Sequence, residues 1–262
     1  MICSEARFDV TDDQIKSPGF KYADAPVIGD ASETALVKFY QPLEDINKTR
    51  ALYPMGRCKD GSESKMPFNS TNKYALSIVR QEGPDHHYVA YIKGAPEKIW
   101  KYCGRMLYQG KYKTIDAEEN KKFQAVNLRF GKNGERVLGF GMLPLNKEVF
   151  HENFDFNTSS PDNFNFPIEN YIFVGLISLM DPPKDSVPFA IKKCQSAGIK
   201  VIMVTGDQPP TAAAIAKQIG IINLKTNEDF KEEGFTAQEA LEKANAIVIH
   251  GDMIVKAFEE NE

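Results

Sequence analysis

A hydroxyl group, a glycine and a carboxylate follow an apolar segment in the second part of the sequence. Thr205, Gly206 and Asp207 come directly after residues 200–204, which we predict to form a short buried strand. The helix predicted over residues 210–219 begins just beyond them and would direct its free N–H groups and positive dipole end at the same place. Because open α/β sheets bind ligands at the carboxyl ends of their strands, the pattern predicts a phosphoryl-group site. The alternative is that Asp207 only caps the helix.

Three cations and one aromatic residue lie on or beside predicted strands in the first part of the sequence. The cations are Lys73, Lys93 and Arg136, and such groups would neutralise a triphosphate if they met in one pocket. Phe68 precedes a polar run, and an aromatic ring at the mouth of a strand can stack on a purine. Taken singly, each cation is better explained as a surface charge, and Phe68 as a core residue.

Two further residues have both a chemical and a structural interpretation. Gly94 ends a predicted strand, where a missing Cβ lets a flat ligand approach the backbone, although an ordinary strand-to-helix turn explains it equally. Glu33 can accept a hydrogen bond from an exocyclic amine, whereas its spacing from Asp30 favours a capping box. The adjacent His86 and His87 have no third ligand at a suitable spacing, so no metal site is predicted.

Hydrophobic periodicity and capping residues indicate the elements that hold these side chains. In the first part, strands are predicted over residues 73–80, 88–93 and 136–143. Helices are predicted over residues 30–40, from 96 onwards, and from 116 towards 130. The connection 81–87 has the composition of a hairpin turn, and residues 151–167 show no period and are predicted to be irregular.

The second part alternates between strands and helices. It begins after Asp181-Pro182-Pro183-Lys184, with helices predicted over 186–197 and 210–219 and strands over 200–204 and 246–250. This order indicates a parallel sheet. The predicted fold class is therefore α/β, with an α+β domain containing an antiparallel sheet followed by a region with a parallel sheet.

Composition narrows the class of protein. The chain has 262 residues, 42% of them apolar and 26% charged, which is typical of a globular protein with one or two domains. A net charge of -4 argues against a nucleic-acid partner, which would require a basic face. The four cysteines are far apart and are expected to be reduced thiols in the cytosol. The longest apolar stretch, around residues 171–180, is too short to span a membrane.

Five motifs, in this order along the chain, resemble those of the P-type ATPases. They are Gly29-Asp30-Ala31-Ser32-Glu33, Pro67-Phe68-Asn69-Ser70-Thr71-Asn72-Lys73, Lys93-Gly94-Ala95-Pro96-Glu97, Asp181-Pro182-Pro183-Lys184 and Met203-Val204-Thr205-Gly206-Asp207. The second motif, together with residues 134–140, resembles the sodium/potassium and proton/potassium pump alpha subunits of the type II cation-transporting group. The resemblance covers essentially the whole chain.

The resemblance implies an ATP site in the first part of the chain. Phe68 would stack on adenine, Glu33 would meet the adenine amine, and Gly94 would leave room for the base. Lys73 and Lys93 would line the pocket. Arg136 would reach the ribose-phosphate region.

The same resemblance implies a second domain of the haloacid-dehalogenase-like, Rossmannoid type. Thr205, Gly206 and Asp207 would stand at its phosphoryl-transfer centre, and ATP would bridge the two domains. Asp181 would begin the hinge and contribute to nucleotide binding. The implied domains are a nucleotide-binding domain over residues 1–180 that lacks its start, a hinge over 181–184 and a partial phosphorylation domain over 185–262.

The implied function is ATP binding for phosphoryl transfer, with Mg²⁺ carried by the nucleotide, in a pump whose remaining transmembrane and actuator domains lie outside this sequence. The complete protein would be a membrane protein, with this segment in the cytosol. The Asp-Lys-Thr-Gly-Thr motif that carries the phosphorylated aspartate does not occur here, so we expect no turnover from this chain by itself. The alternatives are a stand-alone adenine-nucleotide-binding module and a small phosphatase.

Overall fold

The computed structural model describes residues 1–81 and 87–259. The chain divides into two compact units. Unit 1 comprises Met1–Asn120 and Leu138–Leu179, and unit 2 comprises Lys121–Val137 and Met180–Glu262. The predicted domain division, with a hinge over residues 181–184, stays a prediction.

The described residues form short and long strands together with helices. The strands are β1 (Arg7–Phe8), β2 (Val27–Ile28), β3 (Arg57–Cys58), β4 (Lys65–Met66), β5 (Tyr74–Gln81), β6 (His87–Gly94), β7 (Cys103–Tyr108), β8 (Lys111–Thr114), β9 (Arg136–Pro144), β10 (Asp155–Phe156) and β11 (Tyr171–Leu179). The helices are α1 (Asp12–Ile15), α2 (Ala31–Tyr40), α3 (Ile46–Leu52), α4 (Pro96–Tyr102), α5 (Ala117–Lys132), α6 (Ser186–Ser196), α7 (Pro209–Gln218), α8 (Asn227–Glu232), α9 (Ala237–Lys243) and α10 (Gly251–Glu259).

A seven-stranded sheet has the order β4-β5-β6-β9-β11-β7-β8. Strands β5 and β6 pair antiparallel from Tyr74 opposite Gly94 to Gln81 opposite His87. Successive residues of β5 are fully buried, so both faces of this strand are covered. The strands predicted over 73–80, 88–93 and 136–143 are confirmed. Residues 82–86, within the predicted turn, lie outside the described residues. The prediction that His86 and His87 form no metal site is therefore not tested.

Helix α2 begins where its capping residue predicts. The Asp30 carboxylate accepts hydrogen bonds from the Ser32 and Glu33 N–H groups at 2.8 and 3.0 Å, which satisfies two donors that a helix N-terminus leaves free. The capping-box interpretation of Glu33 is wrong, because its carboxylate accepts from the N–H groups of Glu5 and Ala6 instead. The predicted helices α4 and α5 are confirmed.

Several elements were not predicted from the sequence. The largest is the β7–β8 hairpin, whose turn holds Gln109 and Gly110 at φ values of 49° and 75°. A two-residue turn in which both residues have positive φ has a backbone twist that matches the right-handed twist of the two strands. The Gln-Gly pair was the sequence signal for this turn. The segment 151–167 is largely irregular as predicted, but it contains β10, which pairs with β3.

In unit 2 the predicted helices form and the predicted strands do not. Helices α6 and α7 are confirmed. Residues 200–204 and 246–250 contain no strand. In the described chain, the only parallel pairing of these residues is an isolated bridge between Thr226 and Ala246. A parallel strand is held by hydrogen bonds to adjacent strands, and the described residues place none beside 200–204. Both strand predictions are therefore wrong for this chain.

Within the described ranges, no helix has the length and apolar character needed to cross a lipid bilayer.

Candidate nucleotide-binding site

Glu33 and Lys93 form a buried ion pair in unit 1. Lys93 Nζ lies 2.5 Å from Glu33 Oε1, and the two residues are 6% and 8% exposed. The other carboxylate oxygen, Oε2, accepts hydrogen bonds from the Glu5 and Ala6 N–H groups at 2.9 and 3.2 Å. A buried charge is tolerated when it is both paired and hydrogen-bonded, and these contacts meet both conditions. Helix α2, strand β6 and the start of the chain are thereby tied together.

The environment of Glu33 keeps its carboxyl group ionised. Burial raises the pKa of this group, but the hydrogen bond and charge of Lys93 and the donors of Glu5 and Ser4 outweigh it. The net pKa lies below the ordinary 4.5. At neutral pH the carboxylate is therefore negative and balances the charge of Lys93.

The end of β6 approaches the start of β5 closely. A Cβ on Gly94 would lie 2.3 Å from the Lys73 carbonyl oxygen and 2.6 Å from Tyr74 Cα, so the strand pairing itself requires glycine here. Lys73 has a φ of 60°, and its carbonyl accepts a hydrogen bond from the Ala95 N–H at 2.9 Å. A non-glycine residue in the left-handed region is strained, and this bond helps to hold it there. The role of Gly94 beside a base stays a prediction.

Phe68 lies on an ordered loop between β4 and β5. Its ring is 58% exposed, so the core-packing alternative is wrong. The loop is closed by Asn69, whose side chain accepts from the Asn72 N–H at 2.7 Å and whose carbonyl accepts from the Lys73 N–H at 2.9 Å. These two bonds, to residues three and four positions further along the chain, fix the loop locally. Sequence reasoning missed this role of Asn69, although the Asn-Ser-Thr-Asn composition was a turn signal.

Arg136, Asp207 and Thr205 form a hydrogen-bonded group in unit 2. Arg136 donates to Asp207 Oδ1 from Nε at 3.2 Å and from Nη2 at 2.9 Å. Thr205 Oγ1 donates to Asp207 Oδ2 at 3.0 Å and accepts from the Asp207 N–H at 3.1 Å. The N-cap of α7 is Gln208, so the alternative that Asp207 caps this helix is wrong. Gly206 is exposed, and a Cβ there would meet nothing within 4 Å.

Asp181 is exposed and lies in irregular backbone of unit 2. It lines an open cavity of about 320 Å³ together with Gly134, Pro182, Pro183 and Lys217. The cavity contains no other candidate site residue.

The structure thus gathers the predicted site residues into two groups. Glu33, Lys93 and Gly94 adjoin one another in unit 1, and the backbone contacts of Lys73 connect them to the loop of Phe68. Unit 2 holds the group of Arg136, Thr205 and Asp207, with Asp181 elsewhere in that unit. In the described part of the chain, no cluster of three or more His, Cys, Asp or Glu side chains is arranged to hold a metal ion.

A family model described as "P-type ATPase, cytoplasmic domain N" matches residues 1–186. The chain therefore belongs to the P-type ATPase family, which confirms the resemblance drawn from its motifs.

Proteins similar to this chain include alpha chains of sodium/potassium-transporting and of potassium-transporting ATPases. The chain is 45% identical over 228 residues to the human sodium/potassium-transporting ATPase subunit alpha-4, an overlap of 85% of this chain and 21% of that protein. It is 44% identical over 231 residues to the guinea pig (Cavia porcellus) potassium-transporting ATPase alpha chain 2, covering 86% and 21%. For human sodium/potassium-transporting ATPase subunit alpha-3 the values are 43% over 256 residues, 95% and 24%. The chain spans about a fifth to a quarter of the length of these relatives.

Proposed function

We propose that this chain binds ATP, with the adenine stacked on Phe68 and the phosphates attracted by Lys73. Glu33, Lys93 and Gly94 complete the base pocket. Arg136 meets the ribose-phosphate region when the nucleotide engages unit 2, where Asp181, Thr205, Gly206 and Asp207 support phosphoryl transfer. The ATP is expected to bind together with the Mg²⁺ ion that it carries.

In the complete protein, the bound ATP phosphorylates an aspartate outside this sequence, and this transfer drives cation transport. The names of the relatives, which are sodium/potassium- and potassium-transporting ATPases, support this larger proposal. Phosphoryl transfer depends mainly on positioning and charge neutralisation, so a domain that only holds the nucleotide makes a real contribution to it.

The observation that carries the proposal is the exposed ring of Phe68 on a hydrogen-bonded loop. Soluble proteins bury most phenylalanine side chains, and a 58% exposed phenylalanine on a loop closed by Asn69 offers a free stacking surface. Lys73, five residues further on, is exposed and has no carboxylate partner in the described part of the chain. An aromatic face and an unpaired cation on one loop suit a purine nucleotide.

Glu33 and Lys93 contribute differently from Phe68 and Lys73. The carboxylate of Glu33 is already surrounded by Lys93 and the donors of residues 4–6, and its charge cancels that of Lys93. For Glu33 to accept from the adenine amine, one of these donors must give way. Phe68 and Lys73 need no such rearrangement, so they provide the cleaner test.

The proposal is tested by titrating ATP into the chain and into Phe68→Ala, with binding measured by calorimetry. Loss of the stacking surface is expected to weaken ATP binding about 5- to 10-fold, equivalent to about 1–1.4 kcal/mol. The matched control is Phe39→Ala, which removes a 66% exposed ring from α2 of the same unit and should leave the affinity unchanged. Equal affinity of Phe68→Ala and the original chain would contradict the proposal.

Lys73→Ala tests the charge contribution in the same assay. We expect about 3- to 10-fold weaker binding at low salt and a smaller difference at high salt, because screening weakens exposed charge interactions. Lys59→Ala, which removes another exposed lysine of unit 1, is the control. A loss of affinity that is the same in both variants would indicate a general charge effect rather than a nucleotide site.

A further inference from the structure

Helix α6 of unit 2 has one covered face and one exposed face. Val187, Ile191 and Cys194 lie on the inner side, and Ile191 is only 8% exposed. The outer side carries a stripe at helical spacing that is exposed to solvent, which we call the α6 lysine face. It consists of Phe189, Lys192, Lys193 and Ser196.

The lysines of this face differ from four others in unit 2, which are paired with carboxylates. Helices α7 and α8 and their surroundings place each lysine beside a carboxylate: Lys217 with Asp229, Lys225 with Glu233, Lys231 with Glu228, and Lys132 with Glu232. Lys192 and Lys193 have no carboxylate partner anywhere in residues 1–81 and 87–259. Lys193 Nζ lies instead 4.5 Å from the centre of the Phe189 ring. The face therefore carries two positive charges that nothing within the described chain balances.

A hollow in the surface adjoins these charges. It has a volume of about 510 Å³ and is lined by Phe189, Lys192, Lys193, Ser196 and Ala197. The hollow is wide open, so it suits a side chain of a docked segment better than an enclosed small molecule. The Phe189 ring, 63% exposed, supplies an apolar wall.

We propose that the α6 lysine face docks an acidic segment of a partner protein. Carboxylates of that segment pair with Lys192 and Lys193, and an apolar side chain enters the hollow against Phe189. Charge complementarity of this kind steers association and fixes register, while a buried aromatic residue provides the central anchor.

The same residues fit a membrane surface poorly. Helices that lie on membranes bury a broad apolar face, whereas this exposed stripe has one aromatic residue, and Lys193 covers part of that ring. The inner apolar residues of α6 are turned into unit 2 and are not available for insertion.

The test uses a fluorescein-labelled helical peptide with glutamates on successive turns and leucines between them. Fluorescence anisotropy measures its binding to the chain, to Lys192→Glu/Lys193→Glu and to Phe189→Ala. We expect salt-sensitive binding to the original chain and at least about tenfold weaker binding to the double variant, since like charges then face each other. Phe189→Ala is expected to bind several times more weakly. Circular dichroism verifies that both variants keep their helices.

The matched control is Lys59→Glu/Lys101→Glu, which changes the net charge equally at exposed positions of unit 1. It should bind the peptide about as well as the original chain. Three outcomes overturn the proposal: no binding by the original chain, an equal loss in the control, or binding to vesicles of phosphatidylcholine and phosphatidylserine in equal amounts without binding to the peptide. ATP affinity is independent of these outcomes, so the two proposals fail separately.

Discussion

Units 1 and 2 differ in the burial and strand pairing of their apolar segments. In unit 1, β5 is paired on both sides, and Ile78 and Val79 are both fully buried. In unit 2, residues 201–204 also form an apolar run, yet Ile202 is 72% exposed and Val204 92% exposed. The unpaired segment has the higher share of β-branched residues, three of the five in residues 200–204 against two of the eight in β5, so intrinsic strand propensity does not explain the difference.

The difference shows what a strand needs and a helix does not. Helices α6 and α7 satisfy their backbone groups within the segment, so they form wherever periodicity and end signals permit. A strand depends on hydrogen bonds and side-chain contacts from neighbouring strands. Residues 200–204 have no such neighbour among the described residues, and Lys200, Ile202 and Val204 are exposed.

A pair of isoleucine truncations gives the largest expected contrast. Ile78→Ala, in β5, is expected to lower the free energy of unfolding of unit 1 by about 2–5 kcal/mol, because it leaves a cavity in a packed core. Ile202→Ala, at a 72% exposed position, should change that of unit 2 by no more than about 0.5 kcal/mol. Urea unfolding measures both, with fluorescence of Trp100, the only tryptophan, reporting on unit 1 and far-UV circular dichroism on the whole chain. A large effect of Ile202→Ala would mean that residues 200–204 are covered in solution.

A pair of glycine substitutions sharpens the comparison at the candidate site. Gly94→Ala brings a Cβ to 2.3 Å from the Lys73 carbonyl oxygen, so the β5–β6 pairing must shift, and a loss of about 1–3 kcal/mol is expected. Gly206→Ala has nothing within 4 Å and should change stability by no more than about 0.5 kcal/mol. The urea midpoint by circular dichroism gives both values. Equal midpoints would indicate that the strand ends near Gly94 are looser than the structure describes.

Acid unfolding gives the smallest contrast, between the buried carboxylate of Glu33 in unit 1 and the half-buried carboxylate of Asp229 in unit 2. Burial raises the pKa of Asp229, but the Lys217 ammonium and the Thr226 donors lower it to about 2, from an ordinary 3.8. The pKa of Glu33 lies below its ordinary 4.5. A depressed folded-state pKa stabilises the protein above the ordinary value, and this stabilisation is lost as pH falls through the folded value.

We therefore expect the urea midpoint of unit 1 to fall as pH drops below 4.5, and that of unit 2 between about 3.8 and about 2. Glu33→Gln should reduce the fall of the urea midpoint that Trp100 fluorescence reports for unit 1. Asp229→Asn should reduce the fall of the midpoint that circular dichroism reports for unit 2. Declines that are unchanged in the two variants would show that other carboxylates control acid unfolding.

The candidate site was only partly predictable from the sequence. Phe68, Lys73, Lys93 and Gly94 lie near one another in unit 1 because their motifs end or begin adjacent strands, and their roles at a nucleotide stay predictions. The carboxylate partner of Lys93 was not predicted, since a capping box explained Glu33 equally well on spacing alone. The exposure of Phe68 was not predicted either, because composition favours burial of a phenylalanine.

The sequence by itself determined five helices (α2, α4, α5, α6 and α7), three paired strands (β5, β6 and β9) and the family, because caps, periodicity and motifs act over a few neighbouring residues. The tertiary structure alone decided that Glu33 pairs with Lys93, which lies 60 residues away, and that no strand of the described chain pairs with residues 200–204. Contacts between distant residues depend on how whole elements pack. A local sequence pattern does not indicate which distant residue will be in contact.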